Sequence, residues 1–302
     1  MKKAILTGAT GFIGSYLIQE LTKNNVDIYA VVMENDPNVS KLPSDVHITY
    51  CNLENLINLD QLIKERDFDC FYHLAWAGTA GPSRANYELQ LQNIKYTCDA
   101  ALVSKKLNAK KFLTTGTITE NIAQNQFHSN AKSENLIYGI AKMTTRHILD
   151  VLCNKHQISY LWAQLSNIYG GNNTSGNIIS YTLSELSSGR KPQYSKALQP
   201  YDLMYVEDVT RALYLLGFNN TLGTFYFIGS GKPRILREYL LSIKDIFGHG
   251  AEIGLGEKPE DGAVYEWKWF DTKALETEMG FKVSKEFEEN MSHIIHVEMN
   301  IK

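Results

Sequence analysis

Tyr138 and Lys142 stand four residues apart in Tyr138-Gly-Ile-Ala-Lys142, a spacing that puts both side chains on one face of a helix. A free phenol gives up its proton only near pH ~10, so a tyrosine that exchanges a proton with a substrate hydroxyl near neutrality needs its phenolate stabilised. A nearby ammonium does this. In a 302-residue chain with 17 tyrosines such a pair also arises from composition alone, so its weight depends on position. Thr117 follows the strand-like run Lys111–Thr114 in Thr114-Thr-Gly-Thr117-Ile-Thr-Glu120. From there its hydroxyl can hydrogen-bond the same substrate oxygen.

Leu6-Thr7-Gly8-Ala9-Thr10-Gly11-Phe12-Ile13-Gly14 lies between the first apolar run and the first amphipathic stretch, where a dinucleotide-binding βα unit carries its phosphate-binding turn. Gly8 would make the tight turn, Gly11 would let a pyrophosphate approach the backbone, and Gly14 would let helix and strand pack closely. The spacing is GxxGxxG rather than GxGxxG. An acidic residue at the end of the second strand usually grips the adenosine ribose 2′-OH; by count Val32 holds that place, followed by Met33 and Glu34. The cofactor is therefore expected to be NAD or NADP, with the balance toward NADP and Lys41 as the cation that could reach back.

These residues need a frame. Short apolar runs at Ala4–Leu6, Ile28–Val32, Cys70–Leu74, Lys111–Thr114 and Tyr160–Gln164 alternate with helical spacings such as Ile13, Leu17 and Leu21, and Ile140, Ile148, Leu149 and Leu152. That alternation predicts an α/β fold with a Rossmann-type, doubly wound parallel sheet. From Tyr169 the texture turns to Gly, Asn and Ser, then to an amphipathic stretch Ile178–Leu186, a turn-rich loop, and a strand at Thr224–Ile228. The expected division is a nucleotide-binding domain over residues 1–168, to which 205–230 returns, and a smaller α/β substrate-binding domain from 169–204 and 231–302.

Composition excludes several classes. A net charge of -3 with 21% charged and 44% hydrophobic residues offers no general attraction for nucleic acid or an anionic membrane. No apolar stretch approaches the roughly 20 residues of a membrane span. Cys51, Cys70, Cys98 and Cys153 form no CxxC pair or zinc spacing, so no metal is expected and a reduced, cytoplasmic setting is the simplest. The glycines that interrupt the start MKKAILTG argue against a signal peptide.

Taken together, the glycine turn, Tyr138 and Lys142, Phe71-Tyr-His-Leu-Ala-Trp76, Gln92-Asn93, Leu165-Ser-Asn167-Ile-Tyr-Gly170, Tyr205-Val-Glu-Asp208 and Phe227-Ile-Gly-Ser-Gly231 resemble, in order, the extended short-chain dehydrogenases/reductases of the NAD-dependent epimerase/dehydratase family. Members act mostly on nucleotide-diphosphate sugars. The resemblance implies Tyr138, Lys142 and Thr117 as catalytic residues. It implies cofactor contacts from Gly8, Thr10, Gly11, Phe12, Ile13, Gly14, Asn52, Leu53, Leu74, Ala75, Trp76, Asn93, Thr115, Tyr138, Lys142 and Ile168. Substrate contacts would come from Trp76, Thr117, Asn167 and Asn177. His73 reads as core packing. It also implies a homodimer through the helices of Asn93 and Tyr138.

Dehydratases of this family resemble Thr-Asp-Glu at the active site, whereas Ile118 and Thr119 follow Thr117 here and Glu120 comes one position late. A 4,6-dehydratase is thereby disfavoured, and the Cys used by GDP-fucose-forming relatives is missing. What remains is a nucleotide-sugar 4-epimerase or a 4-ketoreductase, or else a non-catalytic NAD(P)-sensing protein of the same fold. Gln164 and Tyr201 stand where the family often has Arg, so a substrate diphosphate would need other cations. Arg190, Arg234 and Lys258 are the candidates, each also readable as a solvated surface charge.

Overall fold

The computed structural model describes residues 2–126, 133, 134, 136–171, 173, 176–248, 250–260 and 262–299. The first half alternates strands β1 (Lys3–Thr7), β2 (Asp27–Val32), β3 (His47–Tyr50), β4 (Cys70–His73), β5 (Phe112–Thr117) and β6 (Tyr160–Leu165) with helices α1 (Phe12–Lys23), α2 (Leu59–Leu62), α3 (Tyr87–Lys106), α4 (Thr119–Gln126) and α5 (Leu136–His156). There follow β7 (Asn167–Tyr169), α6 (Ile178–Ser187), β8 (Gln193–Tyr194), β9 (Pro200–Tyr201), β10 (Leu203–Tyr205), α7 (Val206–Phe218) and β11 (Phe225–Ile228). The tail holds β12 (Arg234–Ile235), α8 (Leu236–Phe247), β13 (Gly254–Leu255), α9 (Lys273–Met279) and α10 (Phe287–His293).

One seven-stranded sheet runs in the order β11-β6-β5-β4-β1-β2-β3 with every neighbour parallel. A parallel sheet is covered on both faces, so its central strands are buried on both sides. Thus β4 and β6 are buried at every position. Leu17 and Leu21 of α1 and Leu213 and Leu216 of α7 fill one face. Ala100 and Val103 of α3 and Leu149 and Cys153 of α5 fill the other with Phe71, Phe112 and Trp162. The order reverses between β1 and β4, so the loops after these strands part and leave a crevice at their carboxyl ends.

The strand β3 escapes the sequence pattern. It pairs only with β2 and is largely exposed, so no apolar run marks it. The other sheet strands lie within one residue of their expected bounds except β5, which runs three residues further to Thr117, and α6 starts at Ile178 as expected.

Beyond the sheet, β7 pairs with β10, β9 with β12, and β8 with β13. Around them Tyr169, Leu183, Tyr239, Phe287 and Met291 build a separate core. The tail does not stay within it, because Leu275 of α9 and Phe281 are buried in the core of the large sheet. Sequence texture did not show this return, since α9 is a short helix with one fully buried residue. Among the described residues no helix is long and apolar enough to cross a membrane, and the four cysteines are free thiols.

Candidate functional site

The turn after β1 is set by glycine. Gly8 has φ +76°, and a Cβ there would sit 2.8 Å from the Ala75 nitrogen in the loop after β4. Gly11 N donates to Gly8 O at 3.1 Å. At Gly14 a Cβ would lie 2.0 Å from Gly8 O, so only glycine lets α1 start this close to the strand. No side chain caps α1, and its N-terminal amides with the helix dipole present a site for an anion. The crevice here has a volume of about 440 Å³. Gly8, Thr10, Gly11, Phe12, Ile13, Gly14, Leu74, Ala75, Trp76, Thr115 and Ile168 all line it, together with Thr117, Tyr138, Lys142, Asn167 and Asn177.

A smaller cavity of about 190 Å³ adjoins it, bordered by Val31, Val32, Met33, Asp36, Cys51, Leu53 and Leu56. Val32 does end β2, yet a carboxylate is present four residues on. Asp36 accepts hydrogen bonds from the Thr10 hydroxyl and from Asn38 N at 2.9 Å. It was not singled out from sequence because the chain turns back after β2. Leu53 borders this cavity; Asn52 does not, and precedes a short helical turn at Leu53–Asn58. Lys41 sits in another such turn, Val39–Lys41, and is exposed.

At the other end of the crevice Tyr138 and Lys142 project from the start of α5, and Thr117 ends β5. Thr117 hydrogen-bonds the Tyr138 hydroxyl. Lys142 is only 4% exposed; its Nζ donates to Thr115 O at 2.7 Å and lies 3.8 Å from the centroid of a Trp76 ring. Burial pulls its ammonium below the ordinary lysine range, and Glu120 opposes that. Trp76 meets the Tyr138 ring edge-on at 6.2 Å and donates its indole N–H to Gln90 Oε1 at 2.8 Å. The cation over the Tyr138 ring is Arg84, with Cζ 4.5 Å from the centroid, a residue the sequence did not single out. Burial pushes the Tyr138 phenol up to about 12; Arg84 and the Thr117 hydrogen bond pull it down, and Glu120 adds to the rise.

Behind this face lies Glu120, 3% exposed and absent from the crevice lining. Its Oε1 accepts from Thr117 N at 2.6 Å, and its Oε2 accepts from Trp162 Nε1 at 3.2 Å and Gln164 Nε2 at 3.1 Å. Burial raises its carboxyl well above the usual range, with the hydrogen bonds and the Lys142 and Arg146 charges working against that. Gln164, where an Arg is common, is thus this carboxylate's partner. His73 is core, as expected: it is 2% exposed, between Thr7 Oγ1 at 2.8 Å and Thr97 Oγ1 at 3.3 Å.

Several expected contacts stand elsewhere. Asn93 is 1% exposed and spends its amide on Ala77 N at 2.9 Å and Ala77 O at 2.8 Å, holding the loop after β4 rather than facing the crevice. Arg190 pairs with Glu185 at 2.7 Å on the surface, Arg234 pairs with Glu288, and Lys258 rests 5.0 Å from the Tyr181 ring centroid. None of the three lines the crevice, because each has a local anion or ring to satisfy it. Asn167 and Asn177 do, with Asn167 Oδ1 accepting from Tyr201 at 2.9 Å and Asn177 capping α6 through Ser180 N. In the Gly-, Asn- and Ser-rich stretch after Tyr169, residues 172, 174 and 175 lie outside the described residues, as does residue 261 after Lys258.

The sequence pattern described as the NAD dependent epimerase/dehydratase family matches residues 4–229. A putative UDP-glucose 4-epimerase of Methanocaldococcus jannaschii is 24% identical, with 97% of each chain covered. A CDP-abequose synthase of Salmonella typhimurium is 24% identical over 96% of each. Among solved structures, a UDP-glucuronic acid 4-epimerase from Bacillus cereus in complex with UDP-glucuronic acid and NAD superposes with a TM-score of 0.78 at 19% identity, covering 99% of this chain and 100% of that one.

Proposed function

The chain belongs to the NAD dependent epimerase/dehydratase family, and on that premise we propose that it is a nucleotide-diphosphate-sugar 4-epimerase in which Tyr138 is the acid and base at the sugar C4 oxygen. The observation that supports this most is the convergence of Tyr138, Thr117 and Lys142 in one crevice with the glycine turn. The turn suits a dinucleotide: its backbone is kept bare where a Cβ would collide, and α1 offers uncapped amides to a pyrophosphate. A bound nicotinamide would supply the reversible hydride acceptor for C4. Tyr138 takes the C4 hydroxyl proton and gives it back, Thr117 hydrogen-bonds the same oxygen, and Lys142 orients ribose hydroxyls and lends positive charge to the phenolate.

The balance toward NADP drawn from Val32 does not survive the position of Asp36. A carboxylate bordering the smaller cavity beside the glycine turn, where the adenosine ribose would lie, would accept hydrogen bonds from a ribose diol and repel a 2′-phosphate, so the preferred cofactor is NAD. The Bacillus cereus epimerase, crystallised with NAD, supports the same choice. The substrate-binding unit is residues 169–204 with most of 231–302, and the protein works as a homodimer in the reducing cytoplasm. Exposed Leu91 on α3 and Ile148 and Val151 on α5 provide an apolar face for the dimer.

A 4-ketoreductase is the second reading, favoured by the match to a CDP-abequose synthase that is as similar as the epimerase relative. The test is to identify the dinucleotide carried by the purified protein, then follow C4 configuration by NMR with UDP-glucose, UDP-N-acetylglucosamine and CDP- and dTDP-sugars. Inversion without added reductant supports the epimerase. Stoichiometric NADH oxidation with 4-keto sugars alone selects the reductase, and binding of NAD with no turnover of either kind overturns both in favour of a sensing protein.

A further inference from the structure

Arg84 comes from the short helical turn Gly81–Ala85 that precedes α3, outside every motif that marks the site. The turn is fastened down: Gln90, 1% exposed, donates to Gly78 O at 3.1 Å and Ser83 O at 3.2 Å while accepting the Trp76 indole N–H. The guanidinium lies over the Tyr138 ring, Cζ to centroid 4.5 Å. Its Nη2 donates to Thr119 Oγ1 at 3.2 Å, which is 3.1 Å from Thr117 Oγ1, itself bonded to the Tyr138 hydroxyl. Arg84 Nε is buried without a hydrogen-bond partner among the described residues, a costly state for a cationic donor unless negative charge appears nearby. These contacts place one cation on both the ring and the hydroxyl network of the proton-exchanging residue.

We propose that Arg84 acts through Tyr138, seating its ring and stabilising the negative charge of its phenolate, so that the site uses two cations where the family pair supplies one. A guanidinium on a ring face is attracted to the neutral phenol by the ring quadrupole and more strongly to the phenolate by its full charge. Lys142 has less to give alone, because its ammonium donates to Thr115 O and faces Trp76. The charged groups bearing on Tyr138 are Arg84 from the turn before α3, which favours ionisation, and Glu120 from α4, which opposes it; Lys142, one turn further along α5, has Glu120 as its own charged neighbour. Thr117 of β5 and Trp76 after β4 complete the surroundings without charge.

The inference rests on Tyr138 being the acid and base, and its test reads the phenol directly. Protein labelled with [13Cζ]tyrosine and saturated with NAD+ is titrated by NMR, with Tyr138→Phe identifying the resonance. Arg84→Gln should raise the Tyr138 midpoint by roughly one to three pH units, and Arg84→Lys, which keeps the charge, should restore most of the shift. Arg84→Met is the second neutral variant should the glutamine protein not fold. NAD+ affinity close to that of the wild type certifies an intact site. A midpoint unmoved in the neutral variants overturns the proposal. The reading of Tyr138 itself fails separately, if Tyr138→Phe leaves turnover of UDP-sugars intact.

Discussion

His73 joins the frame under the cofactor turn to a measurable pH dependence. It is held neutral between Thr7 of β1 and Thr97 of α3, and burial, aided by the Lys142 charge, lowers its imidazole from 6.5 to about 3. In the unfolded chain the ring takes up a proton as pH falls through 6.5, whereas in the folded chain it does so only near 3. Folding stability is therefore complete above pH ~7 and is lost as pH falls, with a limiting slope of about 1.4 kcal/mol per unit for this one group. Between pH ~7.5 and pH ~5 the loss comes to about 2 kcal/mol. His73→Gln keeps a donor and an acceptor but cannot titrate. Urea unfolding of both proteins at several pH values over this range should show the wild type losing about 2 kcal/mol more than the variant, whatever their difference at neutral pH. Parallel pH profiles would refute the buried neutral histidine.

Three further outcomes follow from the same geometry. Gly14→Ala places a Cβ 2.0 Å from Gly8 O, so α1 must lift from the turn; NAD affinity measured calorimetrically should fall at least about tenfold, with a lowered Tm. Asp36→Ser removes the carboxylate bordering the smaller cavity beside the glycine turn, and the ratio of NADP to NAD affinity should rise by about tenfold or more; an unchanged ratio would return cofactor choice to other residues. Glu120→Ala strands Thr117 N and Trp162 Nε1, which Glu120 satisfies, and leaves Gln164 Nε2 only its bond to Asn121 Oδ1. It should cost about 3 kcal/mol or more in urea unfolding and reduce kcat more than it changes KM.

What the sequence made legible was local. The glycine turn is written in consecutive residues because its constraints are local: a positive φ at Gly8 and a bare Cα at Gly14. The pairing of Tyr138 with Lys142 is set by one helical turn, and the buried strands announce themselves as apolar runs. What stayed hidden depends on residues far apart in the chain. Asp36 reaches Thr10 only because the chain folds back after β2. Glu120 looked misplaced for chemistry until its partners Trp162 and Gln164 arrived from β6. Arg84 meets Tyr138 across more than fifty positions of sequence. The surroundings of the candidate phosphate cations were hidden for the same reason, since Arg190 and Arg234 pair with carboxylates that the sequence did not assign to them.

The central claim is that Tyr138 carries the proton at the sugar C4 oxygen, and turnover by Tyr138→Phe protein tests it most directly. The phenylalanine keeps the ring between Trp76 and Arg84 and removes only the hydroxyl. With UDP-glucose or whichever UDP-sugar the wild type inverts, C4 inversion should fall by about 10²- to 10⁴-fold while NAD binding is retained; a variant that inverts C4 at the wild-type rate would contradict the account.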